Sequence, residues 1–367
     1  MPDLPANMLA ELVNSVDKAV YNQRKSIPLD VRDQPVLDWW KSRAEMVEIT
    51  QGAIRVNATV VPDLDTVNFQ VWDGLDPLGA TEQEVTFPME FGYYKIHSGE
   101  MFRLAMLMDM GYNVTFNAKR STPESDFTPM SKGEARRLRN WIQERVTNTH
   151  IAREQKLCHG LILDGATDAQ YPFPGLDLMV SLTPAAGTYG GQACTNPVMQ
   201  NGAATGLTVT ASGTLPDAWN TLDWNAAVTN GKAGTPIDTF MCGRLFADGV
   251  KAYAKANGWS VNTNANGTGK LDISISDNGL VGVNGIKLQI VKEFDIIDAK
   301  YSPVIPFSKR CYGLASKSFV LGTPFKKDWT PSAPWDSGSV RASVYSHDWA
   351  IAPFCKKRNA NYVLAIA

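Results

Sequence analysis

The sequence predicts an α+β fold, and three observations carry the prediction. Residues 131–163 form one long charged stretch whose apolar residues recur at helical spacing. Short runs rich in β-branched residues, such as "VEITQGAIRVNATVV" at 47–61, read as strands. The two patterns are interspersed along the chain, with no internal repeat or low-complexity tract. Apolar residues make up 44% of the sequence, which suits packed cores and argues against disorder. A chain of 367 residues is long for one core and suggests two or three sub-domains.

Residues 6–25 fit an amphipathic helix, with Met8, Leu9, Leu12, Val13, Val16 and Val20 near one stripe. The N-terminus has no basic region followed by an apolar core, so it does not read as a signal peptide. No apolar run approaches the roughly 20 residues of a membrane-spanning helix. The Pro-punctuated "SIPLDVRDQPVLDWW" follows as an extended arm, and its adjacent Trp39 and Trp40 need a surface to lie on. Strands are expected at 47–61 and 83–97. Between them runs a long two-stranded excursion with Phe69, Val71 and Trp72 exposed, marginal in water unless it lies on another surface. From 48 to 90 there are eight acids, including Asp63, Asp65, Asp73 and Asp76, against one base, Arg55, a net of −7.

Helical signals come next. Residues 98–111 have Ser98 as N-cap and Gly111 as terminator. The 131–163 stretch opens on a capping box, Ser131 with Glu134, and carries Leu138, Ile142, Val146, Leu157 and Leu161 on one stripe, with Gly160 as a possible end or kink. From 132 to 156 it has seven bases, Arg136, Arg137 and Arg139 among them, and three acids. Then "GLDLMVSLTPAAGTYGG" at 175–191 ends in small residues around one Tyr and holds no nucleophile, ligand set or phosphate loop. "DWNAAVTNGKAGTP" reads as a surface connection, and 238–259 as a helix with Phe246, Val250 and Tyr253 facing one way. "LDISI", "LVGV" and "IKLQIV" read as strands, the last two joined at Asn284-Gly285, a strong hairpin signal. "SVRASVYSHDWAIAPF" and "ANYVLAIA" read as a final hairpin turned by "CKKRN". From 309 to 358 nine bases, including Lys356, Lys357 and Arg358, outnumber three acids.

Catalytic and metal chemistry find little support. The five Cys are far apart, odd in number and without a C-x-x-C pair, which reads as reduced, buried thiols in a reducing compartment. His150 and His159 are nine apart, off the spacing that shares a helix face. "SHDW" at 346–349 sets Ser, His and Asp side by side, but neighbours in a strand point to opposite faces. "NGTGK" at 266–270 lacks the earlier Gly and the Ser or Thr of a phosphate loop. Asp73 and Asp76 have no nearby His to make an acid–base pair. The sequence thus predicts no catalytic residue, cofactor or metal site. The net charge of −2 gives no global pull toward nucleic acid, although the basic helix would contact phosphates if an assembly oriented it.

The order of these pieces resembles a known family. An N-terminal arm, a long acidic hairpin, "YYKIHSGEM", a charged helix ending "GLILDGA", the 175–191 segment, and a closing "CKKRNANYVLAIA" are similar in order to the major capsid proteins of tailed bacteriophages, with the Hong Kong 97-like fold. The resemblance covers nearly the whole chain and is most specific at 175–191 and 358–367. It implies an N-arm (1–45), an E-loop (46–97), a P-domain (98–224) with a spine helix at about 131–160, an A-domain (225–304), and a P-domain return (305–367). It implies a non-enzymatic subunit that assembles into pentamers and hexamers of an icosahedral shell around double-stranded DNA. It implies, as partners, portal, scaffolding and decoration proteins and DNA on the inner face, with no membrane, and a place in the virion after assembly in the host cytoplasm. In this picture 175–191 packs closely at a subunit boundary.

The resemblance and the charges together place Trp39, Trp40, Asp63, Asp65, Phe69, Trp72, Asp73, Asp76, Arg136, Arg137, Arg139, Lys356, Lys357 and Arg358 at contacts between subunits. Some relatives cleave an N-terminal segment, and a sequence starting at Met1 is expected to keep it. Others cross-link an E-loop Lys, and 48–90 contains none. The alternatives are an encapsulin-like nanocompartment shell on the same fold and a soluble α+β hydrolase using His347 and Asp348.

Overall fold

The computed structural model describes residues 3–5, 34–48, 53–59, 86–109, 113–115, 132–210, 212–229, 237–256, 273–275, 281–283, 285–323, 330–331, 335–337 and 342–367. The expected helix at 6–25, the Ser131 cap and the tip of the acidic excursion, with Asp63, Asp65, Phe69, Trp72, Asp73 and Asp76, lie outside the described residues. The chain divides into two units. One comprises residues 1–33, 95–157 and 327–351, the other residues 34–94, 158–326 and 352–367.

The first unit is built on the long helix, which runs Lys132–Ile162 and gives its last turn to the second unit. Leu138, Ile142 and Val146, each one turn from the next, are buried and form the expected apolar stripe, which the buried polar His150 extends by one turn. Two strands, Tyr94–Arg103 and Ala342–Cys355, pair beside it, and Thr330–Pro331 and Trp335–Ser337 pair antiparallel with the latter. Phe102 packs edge-on against Trp141 with ring centres 5.7 Å apart. Residues 98–103 are therefore strand rather than helix, and the helical piece is only Leu104–Asp109. The alternating exposure of Tyr94–Arg103 shows why: cross-strand pairing outweighs the local cap signal of Ser98.

The second unit holds a seven-stranded sheet. Its order is Ile273–Ile275, Val281–Val283, Ile286–Ile290, Thr239–Cys242, Arg310–Leu314, Tyr362–Ile366, Gly202–Leu207. Thr239–Cys242 and Arg310–Leu314 are buried along their whole length, and Tyr362–Ile366 is equally enclosed. Their nearly continuous apolar sequences are what strands covered on both faces require. Register assigns the two faces. Cys242 lies opposite Cys311, and Met241 opposite Tyr312. Phe240, Cys242, Cys311 and Leu364 join Leu215, Trp219, Phe246 and Val250 in one core, beneath the helices Leu215–Thr229 and Arg244–Ala256. On the other face Phe294, from the helix Lys292–Tyr301, meets Tyr312 with ring centres 5.8 Å apart.

Three local expectations change here. The 238–259 segment is a central strand followed by a helix, because a Cβ on Gly243 would sit 2.3 Å from the Ser308 backbone and the chain turns there. "DWNAAVT" is not a connection but the end of the Leu215–Thr229 helix, held by buried Trp219 and Ala226. The last two strands do not form a hairpin. Phe319–Thr323 pairs with the end of Ala342–Cys355, whereas Tyr362–Ile366 enters the seven-stranded sheet, and the buried turn Arg358–Ala360 carries the chain between them. The Val283↔Ile286 pairing, with Gly285 at φ +77°, is the hairpin the Asn-Gly signal predicts.

Candidate assembly surfaces

The acidic excursion is rooted in a two-stranded ribbon. Ala53–Thr59 pairs antiparallel with Thr86–Gly92, from Ala53↔Gly92 to Thr59↔Thr86. Its root docks on the 175–191 segment of the same unit. Glu90 N–H donates to the Gly190 carbonyl (3.1 Å), and Gln192 Nε2 donates to the Pro88 carbonyl (2.7 Å). Met89 and Phe91 are buried, and Phe91 lies against Tyr189 (5.1 Å) and stacks on Phe354 (4.6 Å). Gly190 permits the close approach at this joint. At φ +58° it favours glycine, and a Cβ there would stand 2.9 Å from Met89 Cβ and from Phe91 Cζ.

Within 175–191, Gly175 serves the subunit's own interior, whereas Ala185, Ala186, Gly187 and Gly191 are exposed. A Cβ on Gly175 would fall 2.1 Å from the Leu163 carbonyl oxygen and 2.6 Å from that of Gly160. Gly160 does not end the long helix; its missing side chain admits the Phe173 ring, 2.5 Å from where a Cβ would be. Two arginines lock the segment down. Arg358 donates from Nε to the Met179 carbonyl (2.9 Å), from Nη2 to the Leu178 carbonyl (3.1 Å) and from Nη1 to Cys194 Sγ (2.9 Å), over the Tyr189 ring. Arg310 donates to Asp177 Oδ1 (2.6 Å) and to the Ile305 carbonyl, and lies 3.9 Å from the centre of the Phe307 ring. Burial pushes the Asp177 carboxyl up, against the pull of the Arg310 charge. Asn361 completes the network: its Oδ1 accepts from Ala315 N–H (2.8 Å) and its Nδ2 donates to the Lys357 carbonyl (2.8 Å).

The structure therefore corrects part of the predicted contact set. Trp39 and Trp40 are 5% and 0% exposed. They lie in the helix Pro35–Arg43, not in an extended arm, and pack edge-on against Phe319 at 5.0 and 5.5 Å, with Trp39 Nε1 donating to Thr239 Oγ1. Their surface is their own subunit. Arg358, 3% exposed, is likewise committed inside the chain. Lys356 pairs with Glu45 at 2.5 Å. Lys357 is exposed, and so are Arg136, Arg137 and Arg139 on the long helix. Sequence reasoning missed the exposed apolar side chains Trp224, Leu245, Ile290, Ile296 and Val304. Trp224 and Ile296 interrupt polar helix faces, and that break in pattern is the signal that would have found them.

Nothing among the described residues assembles into a reaction centre. His347 is buried with its ring 5.1 Å from that of His150, whereas its neighbour Asp348 is exposed and paired with His97 at 2.6 Å. The two side chains leave opposite faces of their strand, so they do not share a site. A cleft of about 460 Å³ lies between Trp39, Arg43, Asp238, Thr239 and Lys287. Its Asp238 carboxylate is occupied by the Ser316 hydroxyl and the Thr239 hydroxyl. No group of three or more His, Cys, Asp or Glu able to hold a metal occurs among the described residues, and no described helix is long and apolar enough to cross a membrane.

No protein-family model matches the sequence, and no curated protein matches it by sequence. Solved structures do match the fold. The capsid of cyanophage A-1(L) is similar over 91% of this chain and 92% of its own, at 13% identity and a TM-score of 0.54. The capsid of the empty GTA particle is similar over 93% and 92%, at 10% identity and 0.51. The mature capsid of bacteriophage PhiM1 is similar over 89% and 86%, at 7% identity and 0.50. At such identities the likeness is one of fold: the chain has the α+β, Hong Kong 97-like fold of phage capsid proteins.

Proposed function

From a fold held in common with phage capsids over nine-tenths of the chain, we propose that this protein is a major capsid protein and not an enzyme. It assembles with copies of itself into hexamers and pentamers of an icosahedral shell around double-stranded DNA. The single observation that carries the reading is the match to the cyanophage A-1(L) capsid over 91% of this chain and 92% of that one. The domain map proposed from the sequence goes with it: N-arm 1–45, E-loop 46–97, P-domain 98–224 and 305–367, A-domain 225–304. Portal, scaffolding and decoration proteins are the further partners of such a shell, and the virion is its place.

The −7 excursion at 48–90 suits the exposed Arg136, Arg137, Arg139 and Lys357 of a neighbouring subunit. Each exposed pair contributes about 0–1 kcal/mol, but complementary fields favour correct encounter and register. Firm anchoring of the ribbon root by Gly190 and Phe91 supports its use as a lever onto a neighbour. Size-exclusion chromatography and electron microscopy of the purified protein test the reading. Capsomers or closed shells are expected. A stable monomer under every assembly condition overturns it, and shells filled with protein cargo instead of DNA point to a nanocompartment.

A further inference from the structure

Two apolar projections stand on opposite faces of the seven-stranded sheet. On one face the helix Leu215–Thr229 turns Trp224 outward, 71% exposed, while Leu215, Trp219 and Ala226 hold its other side in the core. On the other face the helix Lys292–Tyr301 exposes Ile296 (53%), and the loop after it exposes Val304 completely. Both platforms are fixed. Phe294 and Ile297 bury the second helix, and Asp298 accepts the N–H groups of Phe307 and Ser308, closing the loop that bears Val304.

We propose that these projections are the two halves of one heterologous contact between copies of this chain, with Trp224 of one copy seated on Ile296 and Val304 of the next. The inference names the contacting surfaces within the shell reading and rests on it. Placement comes first. Trp219 lies on the Phe240 face of the sheet, with ring centres 5.2 Å apart, and Phe294 on the Tyr312 face. One copy cannot bring its own two patches together across the sheet, but a head-to-tail neighbour can. A head-to-tail contact repeated by rotation closes into a ring.

Charge agrees with the same pairing. The Trp224 helix carries Asp217 and Asp223 and no base. Ile296 sits between Lys292 and Lys300, one turn away on either side along the exposed stripe, and Lys300 also engages Asp168 at 3.3 Å. Of the acids on that second helix, Glu293 is buried and Asp298 is used in the loop, which leaves Asp295 exposed beside the two lysines. Asp217 and Asp223, the latter also accepting from the Tyr362 hydroxyl (3.4 Å), thus suit the exposed Lys292, while Asp295 and the Lys300–Asp168 pair leave the rest of the second rim balanced in charge. Trp is among the side chains most enriched as interface anchors, because its large ring buries much apolar area at small entropic cost.

Cysteine cross-linking tests the pairing directly, because all five native cysteines are buried. In the Asn225→Cys, Ala299→Cys double variant, which keeps Trp224, Ile296 and Val304 and puts each thiol at an exposed neighbouring position, mild oxidation of assembled particles is expected to give a ladder of covalent multimers on a non-reducing gel. Mixing the two single variants should stop at dimers. Trp224→Lys should lower the assembled fraction roughly tenfold or more with an unchanged helical circular-dichroism spectrum, and adding Ile296→Glu should restore part of it. If Trp224→Lys fails to fold, the cross-linking arm decides. Particles that form normally without a ladder overturn the contact and leave the shell reading standing. A wild-type chain that never assembles overturns both.

Discussion

Three arginines of the first unit and two of the second do opposite work. In the first unit Arg136, Arg137 and Arg139 stand exposed on the long helix. In the second, Arg310 and Arg358 are buried and spend their donors on backbone carbonyls, a carboxylate and a thiol. A charge count along the sequence scores the two groups alike. Burial separates them, and with it the cost of losing one: removal of a buried cation orphans several acceptors, whereas removal of an exposed one returns its neighbours to water.

Replacement of Arg358 by Ala is the hardest blow to that contrast. It strands the Leu178 and Met179 carbonyls and opens a hole over Tyr189, for an expected loss of about 3–5 kcal/mol, measured as a large fall in Tm or as insoluble protein. Arg310→Ala comes next. It leaves Asp177 without its cation, at about 3 kcal/mol, and Asp177→Asn added to it should recover part of the loss in denaturant unfolding. Gly190→Ala sharpens the comparison without touching charge. Its positive φ and collision with Met89 and Phe91 should cost about 1–3 kcal/mol and expose the ribbon to limited proteolysis near residues 86–92. By contrast, changing Arg136, Arg137 and Arg139 together to Gln should leave the Tm of the unassembled subunit unchanged while slowing assembly most at low salt; a drop in Tm comparable to that of Arg358→Ala would erase the distinction.

The smallest expected effect is a pH slope. Burial, helped by the Lys300 charge, holds His159 below its ordinary value of 6.5. The unfolded chain then binds the proton more readily than the folded one. Stability contributed by neutral His159 is complete above about pH 6.5 and is lost as pH falls toward the depressed folded value. His159→Gln should flatten that part of the Tm–pH curve.

Local pattern made much of the fold legible. The 3.6-residue period exposed the Leu138–Ile142–Val146 stripe, Asn284-Gly285 marked its hairpin, and β-branched runs marked the ribbon. What stayed hidden depended on partners distant in sequence. Ser98 carries a helix-cap signal, yet it sits in a strand because Ala342–Cys355 lies alongside. Trp39 and Trp40 look like sticky exposed residues until Phe319 is placed against them. The "CKKRN" turn offers the polarity of a surface loop and keeps Lys357 exposed, yet Arg358 is buried because it finds acceptors such as the Leu178 carbonyl 180 positions away. Among proposed contact residues, the exposed arginines were legible from charge periodicity. Trp224, Ile296 and Val304 were not, because a lone apolar residue on a helix usually points inward.

Tyr362–Ile366 lies between Arg310–Leu314 and Gly202–Leu207, so the penultimate position in the sheet is filled from residues near the very end of the sequence. During translation, the sheet stays split until residue 366 has cleared the ribosome. Unfinished polypeptides thus lack the strand that joins Gly202–Leu207 to the rest of the sheet.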